Sequence, residues 1–253
     1  MWETCSRRVK GNPDYGMRKS EVGEENPKNM TLLKGEQLTK KYPGDVTAIE
    51  GVTVEIAERD IAVILGPSGS GKTTLLNLFA TLDAPSEGRV FLREQEITGL
   101  PEAAAARLRN RHFGFIFQFF HLLPELTVLE NVMLPLRIRD ANPLRMTAHR
   151  KKAEQLLNEF HLDRRENFHP AQLSGGELQR TAICRSLICD PEIIFADEPT
   201  GSIDSESARI LFENISRLNR ERNVTFLIAT HNEKFLQLAT HVVYLREGHT
   251  EER

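Results

Sequence analysis

An α/β fold, built on a buried parallel sheet with a mostly helical insertion, is what three features of the sequence predict. "IAVILG" (61–66) and "EIIFADE" (192–198) are short, continuous apolar runs, as expected of strands buried on both faces. "KTTLLNLFATL" and "SESARILFENISRLNRER" read as helices, so strands and helices alternate along the chain. From about 119 to 188 the signals are helical, and Pro124, Pro135, Pro143 and Pro170 divide that region into short helices.

Residues 1–30 are polar, carry both charge signs and show no periodicity, which predicts a disordered extension ahead of a domain spanning 31–253. "TLLKGEQLTKKY" opens a β-rich stretch, and "VTAIEGVTVEI" alternates as a strand does. "GRVFLREQEI" adds a strand at a sheet edge, "PEAAAARLRNR" is strongly helix-forming, and "FGFIFQ" and "VTFLIATH" are further strands.

Composition excludes several classes. A net charge of −3 over 253 residues gives no reason to expect a nucleic-acid binder. No stretch approaches the ~20 apolar residues of a membrane span, and the first 30 residues contain no apolar secretory core. Three cysteines (Cys5, Cys184, Cys189) make no disulfide framework and point to a reduced, cytosolic setting.

"GPSGSGKT", Gly66 to Thr73, fits G-x-x-x-x-G-K-[ST] and lies between an apolar strand and a helix. Gly66, Pro67, Ser68, Gly69, Ser70, Gly71 and Thr74 would frame a loop whose amides curl around phosphates. Lys72 supplies a point charge, and the Thr73 hydroxyl reaches Mg²⁺. A chance glycine-rich turn lacks that context, but the motif alone does not separate ATPases from GTPases or small-molecule kinases. Asp197 emerges at the carboxyl end of its strand, placed to hold the metal. Glu198, next to it, is placed to take a proton from attacking water; a kinase would use that base on a substrate hydroxyl. Gln118 and His231 each end a strand. Either alone reads as a polar terminus; together they bring an amide and an imidazole to the edge that carries Asp197, where Gln118 touches metal or water and His231 the γ-phosphate.

"LSGGELQR" (173–180) poses a different problem. Ser174 is a good N-cap and Glu177 completes a capping box. Yet Gly175 and Gly176 occupy the first turn, at a cost on the order of 1 kcal/mol each. Bare amides there invite an anion, although a phosphate cradle already exists earlier in the chain.

The ordered set "GPSGSGKT", Gln118, "LSGGELQR", "IIFADE", "GSID" and His231 resembles the ATPase subunit of ABC transporters, over about 31 to 250. The resemblance implies a P-loop NTPase core of the ABC ATPase type, with an antiparallel β subdomain and an inserted helical subdomain. It implies ATP and Mg²⁺ as ligands and a second copy facing the first head to tail. Ser174, Gly175 and Gly176 would then close over the ATP held by the partner, which accounts for the glycines. Asp204 resembles the loop aspartate that couples the two sites, and Tyr42 the aromatic that stacks on adenine; a half-buried strand aromatic is its plainer reading. The implied partners are integral membrane permease subunits, with the chain on the cytoplasmic face of the inner membrane. "FQFFHLLPELTVLENV" with "ADEPTGSID" most resembles the lipoprotein-release, macrolide-export and cell-division branch. That wording points to export or extraction of a lipoprotein, lipid or hydrophobic compound. In this family the segment 114–136 helps form a groove for a short helix of the membrane subunit. A soluble iron–sulfur-assembly ATPase and a cell-division regulator are the alternatives. The chain departs from the pattern at "AERD" (57–60), Ile203 and Asn232, none of which removes a catalytic group.

Overall fold

The computed structural model describes residues 30–44 and 46–251 and the backbone of Arg7–Arg8; the predicted disordered extension otherwise lies outside the described residues. Two sheets form the architecture. In the larger, strands β10 (His241–Arg246), β4 (Ile61–Leu65), β9 (Thr225–Thr230), β8 (Ile193–Asp197) and β7 (Phe113–Phe117) run parallel in that order. β1 (Arg7–Arg8) and β11 (His249–Glu251) pair antiparallel with β10. The smaller sheet is antiparallel, in the order β3 (Val46–Ala57), β2 (Thr31–Tyr42), β5 (Glu87–Leu92), β6 (Gln95–Glu96).

Strand alternation divides the core between the faces of the parallel sheet. Val63, Ile194, Ala196, Phe226 and Ile228 pack into a cluster with the helical insertion and α6 (Ser205–Arg222). Ala62, Ile64, Phe195, Leu227 and Ala229 face α1 (Lys72–Phe79) and the antiparallel sheet, where Leu33, Leu38, Val54 and Ile56 are buried. Helix α2 (Glu102–His112) leads directly into β7. The insertion consists of α3 (Val128–Arg139), α4 (Met146–Glu159) and α5 (Gly175–Leu187).

Three details differ from the sequence expectation. Pro135 does not break a helix: it lies inside α3. A proline there costs about 3 kcal/mol. Val128, Leu129, Val132, Met133 and Leu136 are buried, each worth about 1.5–3 kcal/mol, and Thr127 closes a capping box with Glu130. Helix α1 ends at Phe79, three residues before the end of the predicted run at Leu82, because Thr81 takes a left-handed φ of 55°. The hairpin β10–β11 was invisible in the sequence, yet β10 is the neighbour of β4.

The departure at "AERD" acquires a physical role. Asp60, only 3 % exposed, accepts from the Ala57 N–H (2.9 Å) and from the Thr240 hydroxyl (2.9 Å), tying the β3–β4 turn to the entry of β10. Asp60→Ala would strand both donors and lower unfolding free energy by roughly 2–3 kcal/mol, while Asp60→Asn, which keeps one acceptor oxygen, would lose less. Urea denaturation of the three proteins checks this.

Candidate nucleotide site

The parallel register sets the site. Leu65 lies level with Thr230, and Phe117 with Asp197, which is level with Ala229. The residues that follow these positions, Gly66, Gln118, Glu198 and His231, therefore leave the sheet at one edge, so the expected convergence of these strand-end groups is present.

The loop after β4 is built for close approach. A side-chain carbon at Gly66 would lie 2.1 Å from the Leu245 carbonyl oxygen, and one at Gly71 2.5 Å from that of Ala48. Gly71 also caps α1 with a φ of 100° and offers no side-chain acceptor. The backbone N–H groups of Gly69, Gly71, Lys72, Thr73 and Thr74 consequently have no acceptor among the described residues. Pro67, Ser68 and Gly69 are exposed, Thr74 is half-buried, and the buried Ser70 hydroxyl has no partner. Bare amides at a helix N-terminus form an anion cradle. Lys72 folds back into it, its ammonium donating to the carbonyls of Gly66 (3.0 Å) and Pro67 (2.9 Å).

Around the cradle stand the acidic and polar groups. The Thr73 hydroxyl donates to Asp197 (3.0 Å). Burial pushes the Asp197 carboxyl above its ordinary range, against the opposing Thr73 bond. Glu198 has a left-handed φ of 42°, a strained conformation for a residue with a side chain. It is pinned by its N–H to the Ala229 carbonyl (2.9 Å) and by its own carbonyl accepting from Gly201 (3.0 Å). Its carboxylate accepts from the Thr230 hydroxyl (2.9 Å), meets His231 Nδ1 at 2.9 Å and lies 3.9 Å from the Lys72 ammonium. The His231 ring is otherwise open, 64 % exposed. Gln118 lies over Gly201, where an added carbon would come within 2.7 Å of its amide nitrogen.

Tyr42 ends β2 37 % exposed, its hydroxyl donating to Asp83 (3.1 Å) and its ring 5.1 Å from the Lys40 ammonium. Ser174 caps α5, exchanging bonds with Glu177, whose second carboxylate oxygen accepts from Arg165 (2.7 Å). These bonds to Ser174 and Arg165, working against partial burial, hold Glu177 at about 2. Among the described residues, no hydrogen bond or ion pair joins Ser174, Gly175, Gly176 or Asp204 to the phosphate cradle, and the N–H groups of Gly175 and Gly176 have no acceptor.

The two glycines of the α5 turn have different reasons to be small. A carbon added at Gly175 would find only the Ser202 carbonyl, at 3.9 Å, whereas at Gly176 it would meet the Ser207 hydroxyl at 2.7 Å. Nothing within the described chain therefore crowds Gly175, whereas a side chain at Gly176 would have to displace the Ser207 hydroxyl. Three residues absent from the sequence reading complete the scaffold. Ser207 is held by both oxygens of Asp204, which caps α6. The buried Gln179 amide donates to the Pro199 carbonyl (2.8 Å), tying α5 to the segment after Glu198. Thr230 orients Glu198. A small polar residue at a helix start or strand end is too ordinary a signal to single these out. Two departures also find roles: Ile203 packs against the core, and Asn232 accepts from the Lys234 N–H (3.1 Å) and donates to Thr200 (3.3 Å).

Residues 49–201, more than half of the chain, match the ABC transporter family. The chain belongs to that family. It is 41 % identical over 217 residues to the lipoprotein-releasing system ATP-binding protein LolD of Cytophaga hutchinsonii, covering 86 % of this chain and 97 % of that protein. It is also 41 % identical over 209 residues to the ABC transporter ATP-binding protein YtrE of Bacillus subtilis, covering 83 % and 89 %. A solved dimeric bacterial ABC cassette, MJ0796, superposes with a TM-score of 0.80 at 37 % identity over 87 % of this chain and 97 % of that one. The same cassette is known in a post-hydrolysis state with ADP and Pi. This ABC protein is thus an ATP-binding subunit and ATPase of the LolD-like branch, with the α/β cassette fold. Among its described residues no helix is long and apolar enough to cross a membrane.

Two outcomes follow from the geometry. Because burial disfavours the charged Asp197 in the folded state, that carboxylate weakens the empty fold at every pH above its ordinary value. Asp197→Asn should therefore raise the melting temperature in chelator-treated protein while abolishing ATP turnover. Gly176→Ala should lower stability by about 1–3 kcal/mol through the Ser207 clash. Adding Ser207→Ala should recover most of that loss, as a thermal double-mutant cycle would measure.

Proposed function

We propose that this chain hydrolyses ATP in chambers shared by two copies, and that their closing and parting drives separate membrane subunits exporting or extracting a lipoprotein, lipid or hydrophobic compound. The observation that carries this is the pair of bare helix N-termini: the cradle at α1 and the Gly175–Gly176 amides at α5, which no bond of the chain connects. A nucleotide held by the first in one copy is covered by the second in the other, giving two sites by two-fold symmetry. The dimeric neighbour supports the reading.

Within each site the loop amides and Lys72 hold the β- and γ-phosphates. Tyr42 stacks on the adenine, exchanging its present contacts with Asp83 and Lys40. The Thr73 hydroxyl and Asp197 carboxylate, 3.0 Å apart, are hard oxygen donors suited to Mg²⁺, with Gln118 as a further ligand. No group of three or more His, Cys, Asp or Glu among the described residues could hold a metal by itself, which fits an ion that keeps waters and phosphate oxygens in its shell. Bound there, the ion would neutralise charge on the phosphates and relieve the half-buried carboxylate. Glu198, aimed by Thr230, accepts the proton of the attacking water. His231 orients the γ-phosphate through its open Nε2 edge. Asp204 stands at the start of α6 to relay the state of one site to the other.

Docking to membrane subunits uses the cleft between α2, β7 and α3. Arg109, Phe115, Phe117, His121, Pro135 and Ile138 line its volume of about 340 Å³, with Phe119 (69 % exposed) at the turn after β7. Part of segment 114–136 is core, as Ile116, Val128 and Val132 show by their burial, while Phe117, Phe119 and His121 stay open to a partner helix.

Purified Glu198→Gln should bind ATP, form a stable dimer in size-exclusion chromatography and lose steady-state hydrolysis by at least about a hundredfold. Gly175→Ala in that background should keep the fold and weaken ATP-dependent dimerisation. A Glu198→Gln protein that remains monomeric with saturating ATP would overturn the shared-site reading.

A further inference from the structure

We propose that the tip of the helical insertion, residues 137–152, is a lipid-binding surface that rests on anionic membrane headgroups; this builds on the reading of the chain as a subunit working beside a membrane. The segment "RIRDANPLRMTAHRKK" carries six basic residues and one acidic one, in a chain whose net charge is −3. Two large apolar side chains stand out of the same tip: Ile138 is 70 % exposed and Leu144 is 90 % exposed, the most exposed large hydrophobic among the described residues. Leu144 projects from the surface and is not among the residues that line the cleft.

The projection is held in place by the backbone. Asp140 pairs with Arg145 at 3.0 Å, and its carboxylate also accepts from the Asn142 N–H (3.0 Å). Asn142 in turn caps the Leu144 N–H (3.0 Å). Helix α4 buries Ala153, Leu156 and Leu157, which leaves Thr147, Ala148 and Lys151 on its open side, one turn beyond Leu144. Arg139 and Lys152 are used internally, on the Asn110 side chain and on Asp190. Arg150 is paired with Glu154 (2.7 Å) and lies 3.9 Å from Glu166. Arg137 and Lys151 make no ion pair among the described residues.

An apolar anchor with unpaired basic side chains in the same exposed segment is the chemistry of an interfacial contact: the leucine enters the headgroup boundary while the cations meet phosphates. The surface is continuous with the proposed docking cleft, since Ile138 also lines that cleft. Contact with lipid would then steady the insertion while a membrane helix occupies the groove beside it.

The test uses the purified full chain and co-sedimentation with phosphatidylcholine vesicles, with and without phosphatidylglycerol. Binding is expected only to the phosphatidylglycerol vesicles and should weaken as salt rises. Arg137→Glu with Lys151→Glu should reduce it by roughly tenfold or more, and Leu144→Ser should reduce it separately. All three positions are exposed and outside the nucleotide site, so ATP hydrolysis and ATP-dependent dimerisation of the Glu198→Gln protein should not change; those assays report on the shared-site reading independently. Equal binding to neutral vesicles, absence of binding, or unaltered binding by the charge-reversed variant overturns the lipid surface.

Discussion

The rest of the structure depends on a helix that begins without a cap. The first turn of α1 leaves its amides bare at the end of β4, and the left-handed Gly71 aims them into one concavity. Such an arrangement is unfavourable until an anion arrives, so the surrounding fold has to impose it. Two separate elements do so by contact: the Leu245 carbonyl of β10 presses against Gly66, and the Ala48 carbonyl of β3 against Gly71. The antiparallel sheet and the last parallel strand are thus the walls that give the loop its shape. The backbone bond from the Gly248 N–H to the Ser70 carbonyl (3.2 Å) fastens the β10–β11 turn to the same loop.

Around that concavity stand the charged groups, each already engaged within the chain. Lys72 is satisfied by backbone carbonyls, Asp197 is half-buried beside a hydroxyl, and Glu198 is strained but held by Thr230 and His231. Glu198 is the most constrained of them, since its backbone is fixed on both sides by bonds to Ala229 and Gly201.

The second bare helix start belongs to a different mechanical unit. Glu177 and Arg165 hold the α5 cap rigidly, Gln179 ties α5 to Pro199, and Gly176 lets it nestle against Ser207 at the start of α6. The Gly175–Gly176 amides, Asp204 and the segment that follows Glu198 therefore share one packed joint. Movement of one of them would be felt by the others, because the joint leaves little room for one to shift alone.

Much of this was legible in the chain. Continuous apolar runs identify buried parallel strands because a sheet covered on both faces tolerates no polar alternation, and the spacing of glycines, lysine and threonine identifies a phosphate loop because few sequences can fold that tightly. The strand ends likewise placed Gln118, Glu198 and His231 at one edge of the sheet. What remained hidden were contacts between residues far apart in sequence. The β10–β11 hairpin, the hold of Asp60 on Thr240, the survival of Pro135 inside α3 and the need for Gly176 opposite Ser207 all depend on what lies across a gap. Local sequence determines which backbone shapes are affordable and which chemistry a position carries. Only the tertiary structure decided which neighbours those shapes would meet, since packing distance is a property of pairs and a single chain read in order contains no pairs.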